Sequence, residues 1–178
     1  NSWGQGATTS YVGNYSVSCG LRELYTTTDC RNSVIKMVTS ESGDCNMVWK
    51  WANGGASAGL VDIPLIRTAE MYLTRAEANY NLKQYTPALA DLNIVRSKRY
   101  SDYEAGNESE RLEKAIQLQR RLELAFEGHR FFDLKRRHED LERDGLGFLA
   151  DGTGAPAGAQ EVSADSPYYL LPIPQSEI

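Results

Sequence analysis

Between residues 66 and 80 the side chains Ile66, Ala69, Leu73, Ala76 and Tyr80 recur at spacings of three, four, three and four. An α-helix gathers such a series on one face, because its 3.6-residue turn returns every third and fourth side chain to the same side. The stripe predicts a helix beginning near Leu65. Thr86-Pro87 predicts the start of a second. Threonine can accept from unpaired N–H groups there, and proline at the first helical position has no needed N–H to lose. Ala88, Leu89, Leu92 and Val95 supply its buried face, and the short link predicts an antiparallel hairpin. Small residues at 76 and 88 would let the two helices approach closely, as in a single tetratricopeptide-type unit. A third helix is predicted from about Glu110 to Glu127, with Leu112, Ile116, Leu122 and Phe126 inward. Gly128 breaks the pattern, which predicts a left-handed backbone or a close approach. A shorter helix is predicted from about His129 to Arg143.

The rest of the chain lacks that period. Residues 1–20 are rich in Gly, Ser and Thr and read as loop. Residues 32–38 and 46–52 read as the two strands of a hairpin, with turn chemistry at Glu41-Ser42-Gly43-Asp44. Residues 145–166 read as loop, and Tyr168-Tyr169-Leu170-Leu171 as a short strand. The expected division is a loop and short-strand region over 1–64 and a helical region over 65–178, in one continuous domain.

Charge and motif searches narrow the function. The chain has 24 acidic and 19 basic residues, for a net charge of −5. Its arginines are interleaved with glutamates, so no basic stripe offers itself to nucleic acid. No apolar run is long enough to span a bilayer. Because the chain starts at Asn1 without methionine, it is read as a fragment, with any signal or lipid anchor upstream. Its three cysteines, Cys19, Cys30 and Cys45, leave two states open: one disulfide with one thiol, or three thiols. They lack Cys-x-x-Cys spacing, so no zinc site is expected. His129 and His138 stand too far apart for an HExxH pair, and neither a Gly-x-Ser-x-Gly elbow nor a phosphate loop occurs. No metal and no cofactor is expected.

The segment Gln119 to Arg136 is the most unusual in the chain. Glu123 and Glu127 stand four apart on one helix, where bare like charges repel by roughly a few tenths of a kcal/mol. Arg120 and Arg130 are the expected neutralising partners, and Arg136 and Arg137 both fall within reach of Asp133. Two carboxylates could also serve a glycosidase. No aromatic subsite accompanies them, so a salt-bridge network locking two helices around Gly128 is expected, and no catalytic residue.

Four ordered motifs carry a resemblance. The run Ile66-Arg67-Thr68-Ala69-Glu70-Met71-Tyr72-Leu73-Thr74-Arg75-Ala76-Glu77-Ala78 resembles the R-x-A-E-x-x-L-x-x-A-E-A helix of the SusD/RagB family. Ala88-Leu89 through Leu92-Asn93 to Arg96 resembles the next helix of that family. Arg120 and Glu123 through Asp133-Leu134 to Arg136 resembles its E-R-x-x-E-L-x-F-E-G-x-R-x-x-D-L-x-R signature, with Gln119 in place of an acid. Tyr169 to Ile178 resembles its Y-x-x-P-I-P-x-x-E-I ending, and Leu24-Tyr25 with Asp29 and Arg31 more loosely an upstream segment.

The resemblance implies a mainly α, SusD-like fold with tetratricopeptide-like helical hairpins, short β-strands and long loops. It implies an outer-membrane, surface-exposed lipoprotein, anchored by lipid outside this fragment. Its partners would be an oligosaccharide ligand and a TonB-dependent SusC-like transporter. The alternative is a tetratricopeptide-like protein-interaction module without glycan binding. Sugars present apolar ring faces and hydroxyl edges, which aromatic platforms and amides suit. The candidate ligand residues are therefore Trp3, Tyr11 and Tyr15, with Gln5 and Asn14 as polar partners. These aromatics could equally pack against a missing N-terminal part. Trp49 and Trp51 share a strand face and are read as core.

Overall fold

The computed structural model describes residues 16–40, 43–50, 64–106, 111–143, 147, 149–154 and 161–170. Four longer helices carry it: α2 (Thr68–Asn81), α3 (Tyr85–Arg96), α4 (Leu112–Glu123) and α5 (His129–Arg137), preceded by one short helix, α1 (Cys19–Glu23). A hairpin of β1 (Ile35–Ser40) and β2 (Gly43–Val48) lies between α1 and α2. A two-residue ladder of β3 (Leu141–Glu142) and β4 (Glu161–Val162) follows α5.

The α2–α3 hairpin forms as its sequence demands. Leu73, Ala76, Ala88 and Leu92 are fully buried, and Val95, Leu112 and Ile116 complete one cluster with α4. Each large aliphatic in it contributes roughly 1.5–3 kcal/mol of transfer free energy. The helix boundaries differ from the sequence reading for local reasons. α2 starts at Thr68, leaving Leu65 and Ile66 exposed. It ends in a Schellman closure: Lys83 adopts φ 61°, its N–H bonds the Tyr80 carbonyl, and the Gln84 N–H reaches Asn79. α3 starts at Tyr85 after Gln84, with no side-chain cap, so Thr86 is not its cap and Pro87 is its third residue. Proline is harmless there as well, because the first turn's N–H groups have no partner within the helix.

α4 stops at Glu123 rather than Glu127. A corner follows in which Phe126 and Gly128 both take left-handed backbone, at φ 66° and 82°. Gly128 thus begins α5 in the conformation its residue type suggested. Phe126 turns away from the helical core and packs on a second cluster built from Val17, Tyr25, Ile35 and Leu122. α5 ends early, at Arg137, because His138 turns left-handed and the Glu139 N–H closes onto Leu134. The residues beyond it are then free to extend as β3.

The hairpin register pairs Ile35 with Val48 and Val38 with Cys45. The second strand ends at Val48, four residues short of the expected limit. On its other edge, Ser16 bridges to Met47 and Leu149 to Cys45. The segment over 1–20 is not loop to its end: Ser18 accepts from the Leu21 N–H and caps α1. Tyr168–Leu171 is not a strand where it is described, because Pro167–Tyr169 is a 3-10 turn with no partner strand. Tyr169 instead stacks its ring on Phe131, with centroids 5.6 Å apart. The three cysteines are thiols, with Cys19 and Cys45 buried and Cys30 exposed.

Candidate functional site

The densest chemistry among the described residues sits at the end of α4. Glu123 is 3% exposed and receives three guanidiniums. Arg99 bonds it twice, at 2.8 Å from each of Nε and Nη2; Arg67 Nη1 lies at 2.9 Å and Arg31 Nη1 at 3.3 Å. Burial pushes the Glu123 carboxyl upward. The hydrogen bonds and positive field of Arg99, Arg67 and Arg31 outweigh that and hold it at about 2. Glu127 receives Lys50 and Arg67, the latter through Nε at 3.0 Å.

Backbone atoms join the same hub. Lys50 Nζ donates to the carbonyls of Glu123 and Ala125 at 2.9 and 3.0 Å, and Arg67 Nη2 to the Glu123 carbonyl at 2.7 Å. These are carbonyls at a helix C-terminus, where unpaired acceptors and the negative end of the dipole favour a cation. Burial lowers the Lys50 ammonium, with the Glu127 carboxylate opposing. On the far side, Asp29 holds Arg31 through Nε and Nη2 at 2.9 and 2.7 Å, and caps its 3-10 turn by accepting the Arg31 N–H. Tyr25 donates its hydroxyl to the Leu122 carbonyl at 2.9 Å, and burial pushes its phenol up to about 12.

The partners differ from those expected. Arg120 does not bond Glu123. It bonds Asp133 at 3.0 Å and Thr74 at 3.0 Å, so it is Arg120 and Asp133 that lock α4 to α5 across Gly128. Arg130 does not fold back onto either glutamate. Arg136 does reach Asp133, at 3.0 Å, and also grips Glu77 with two bonds of 2.6 and 2.7 Å; Arg137 takes Glu139 instead. Gln119 shows what its departure from the motif does: its carbonyl accepts from Arg31 at 2.9 Å while its amide donates to the Tyr100 hydroxyl at 2.8 Å. A carboxylate could also accept the first bond, but it would meet Tyr100 only by accepting the phenol O–H, not by donating to it.

Sequence spacing could not find Arg31, Arg67, Arg99 or Lys50 as partners, since they lie 24–92 residues from Glu123. The motifs did contain a signal. Tyr25, Asp29 and Arg31 come from one resembling segment, Arg67 from a second, Glu123 and Glu127 from a third, and all converge here.

This hub is built to hold, not to react. A general acid needs a carboxyl that keeps its proton near the working pH. Glu123, held at about 2 and saturated by arginines, cannot supply one. Among the described residues no group of three or more His, Cys, Asp or Glu could hold a metal ion. A depression between α2 and α4, lined by Glu77, Tyr80, Glu113 and Gln117, holds about 210 Å³ counting space open to solvent. Trp3, Gln5, Tyr11, Asn14 and Tyr15 lie outside the described residues, as does Trp51. Trp49 is half-buried rather than core, with the Lys36 ammonium 4.5 Å above its ring.

A helical scaffold with motif residues gathered into one buried ionic hub defines a class, and comparison with known proteins names it. The model of the SusD family matches residues 44–178, and the chain belongs to that family. It is 37% identical over 90 residues to a SusD-like protein of Formosa agariphila, covering 46% of this chain and 18% of that one. A SusD superfamily protein from Bacteroides vulgatus superposes with a TM-score of 0.78 at 26% identity, over 99% of this chain and 39% of its own. A SusD-like carbohydrate binding protein from the same organism gives 0.71 at 25%, over 95% and 42%. The chain therefore spans about two-fifths of the length of these solved relatives. Among the described residues no helix is long and apolar enough to cross a membrane.

Proposed function

We propose that this chain is the C-terminal scaffold of a protein that captures oligosaccharides at the cell surface without chemically altering them. The observation that carries this reading is family membership over residues 44–178, supported by likeness to a carbohydrate binding protein along nearly the whole chain. The saturated state of Glu123 supports binding without hydrolysis. In this reading the parent is an outer-membrane lipoprotein that delivers its ligand to a SusC-like TonB-dependent transporter. Residues 65–178 supply the helical part of one continuous domain, and residues 1–64 the loop and short-strand part. Trp3, Tyr11 and Tyr15 offer ring faces to the sugar, with Gln5 and Asn14 bonding its hydroxyls.

Calorimetric titration of the full-length protein with an oligosaccharide panel tests this. Trp3→Ala is expected to weaken binding about tenfold, equal to roughly 1.4 kcal/mol, with folding nearly intact. New reducing ends in the panel would contradict a pure binder. Normal affinity in Trp3→Ala would move the ligand site away from the N-terminal segment.

A further inference from the structure

The start of α4 lies beside the end of α2, and the depression between them sits at the opposite end of α4 from Glu123. Its two carboxylates are in contrasting states. Glu77 is saturated, with two bonds of 2.6 and 2.7 Å from Arg136. Glu113 receives no cation among the described residues. There its oxygens accept only the Tyr80 hydroxyl at 3.4 Å and the Gln117 amide at 3.3 Å. Both bonds are long, since O–H and N–H donors usually approach to roughly 2.5–3.0 and 2.7–3.2 Å. Ile116, 1% exposed, gives the depression apolar surface. Tyr80 also lines it, and Tyr85, 47% exposed, holds a second ring 5.5 Å from the first at 55°. Asn81 adds an amide with no side-chain partner among the described residues.

A loosely bonded carboxylate, two amides, and tyrosine rings beside an apolar side chain are the groups a sugar ring needs. We propose that the depression between α2 and α4 is a subsite for a neutral sugar bearing adjacent hydroxyls; this rests on the glycan-binding reading and adds a second contact region to it. Glu113 exchanges its two long bonds for sugar hydroxyls, and a hydrogen bond to a carboxylate is roughly twice as strong as a neutral one. The amides of Gln117 and Asn81 both donate and accept, as sugar hydroxyls do. The tyrosine rings cover the C–H face. Glu113 also sets the specificity. With no cation beside it, its charge repels a uronate or a sulfated sugar, so the subsite selects against anionic glycans.

The test is calorimetric titration of the full-length protein with cellohexaose, xylohexaose, mannohexaose and laminarihexaose, and with hexagalacturonate as the charged control. At least one neutral oligosaccharide is expected to bind, and hexagalacturonate more weakly. Glu113 and Tyr85 are both exposed, so Glu113→Gln and Tyr85→Ala are expected to melt as the parent chain does. Neutral affinity is expected to fall about tenfold in each. Glu113→Gln is also expected to narrow the gap between neutral and charged oligosaccharides, which loss of a merely structural glutamate would not do. Neutral binding unchanged in either variant would overturn the subsite and leave the glycan reading standing. Tighter binding of hexagalacturonate than of the neutral oligosaccharides would overturn it as well. A lowered melting temperature with affinity intact would make these side chains part of the fold and sink the subsite. No binding of any oligosaccharide by the parent chain would overturn the glycan reading and the subsite together.

Discussion

Two hydrophobic clusters among the described residues meet at α4 but are assembled in different ways. The helical cluster takes its buried residues from three successive helices within 68–123, at the periodic positions of each. The second cluster joins Val17, Tyr25 and Ile35, near the start of the described chain, to Leu122 on α4. One of its links, the Tyr25 hydroxyl to the Leu122 carbonyl, spans 97 residues. Local helical contacts stabilise the first as it forms. The second must first overcome the entropy of closing a long loop, with fewer apolar side chains to offset it. The ionic hub stands at that weaker junction: Gln119 is buried on α4 between Ile116 of one cluster and Leu122 of the other, and the buried Glu123 directly follows Leu122. The motif charges thus stitch a distant segment onto a helical unit.

Removing Glu123 is the hardest blow to that stitch. Glu123→Gln would leave Arg31, Arg67 and Arg99 facing an amide in a buried site. Breaking a buried ion pair from one side typically costs about 3–5 kcal/mol. Urea unfolding should show that loss, and the β1–β2 region should lose hydrogen-exchange protection before α2 and α3 do. Equal loss in both regions would mean that the clusters fold as one and that the contrast is wrong.

Acid should act on the same group more gently. The Glu123 carboxyl sits at about 2 in the folded chain against an ordinary 4.5. A carboxyl depressed by folding adds stability at pH values above its unfolded value, and that stability drains as pH falls toward the folded one. The window is therefore about pH 4.5 down to 2, and the loss is on the order of 3 kcal/mol. The slope of unfolding free energy against pH across that window should flatten in Glu123→Gln. An unchanged slope would transfer the acid sensitivity to other carboxylates.

Much of the helical unit was legible because the period of 3.6 is written in adjacent residues. Leu73, Ala76, Ala88, Leu92, Ile116 and Leu122 are all buried as their spacing required. Boundaries were less legible, since a Schellman turn at Lys83 and left-handed Phe126 have no dedicated residue type to announce them. The hub was legible only in part. Charge density marked Glu123 and Glu127 as needing cations, yet neighbours in sequence were the wrong partners. Arg120 was drawn instead to Asp133, and ions from distant segments filled the gap. Pairing across 24–92 residues is decided by chain topology, which a local pattern does not encode.

Gly128 tests the corner that carries both clusters' shared helix into α5. Its φ is +82°, and a Cβ there would meet no heavy atom within 4 Å. The cost of a side chain is then conformational rather than steric. Gly128→Val is expected to lose about 1 kcal/mol or somewhat more, read as a lower melting temperature. An unchanged melting temperature would show that the corner relaxes to accommodate valine, and that its left-handed turn is not what fixes α5.

The smallest effect is expected where an ion pair looks as good on paper as the hub but meets water. Arg136 grips Glu77 through two bonds of 2.6 and 2.7 Å, shorter than most in the hub. Its side chain, however, is 43% exposed, against 2% for Glu123. Solvent screens an exposed pair and already satisfies its separated partners, so such pairs contribute roughly 0.2–1 kcal/mol. Losing Arg136 leaves Asp133 with both of its bonds to Arg120 Nε, and leaves Glu77, 17% exposed, to water. Arg136→Gln should therefore cost less than about 1 kcal/mol, and added salt should shrink that cost further. Salt should leave the Glu123→Gln loss nearly unchanged, since a buried cluster is poorly screened. If Arg136→Gln proves as damaging as Glu123→Gln, bond geometry rather than burial sets the strength of these pairs, and the contrast between the two regions fails.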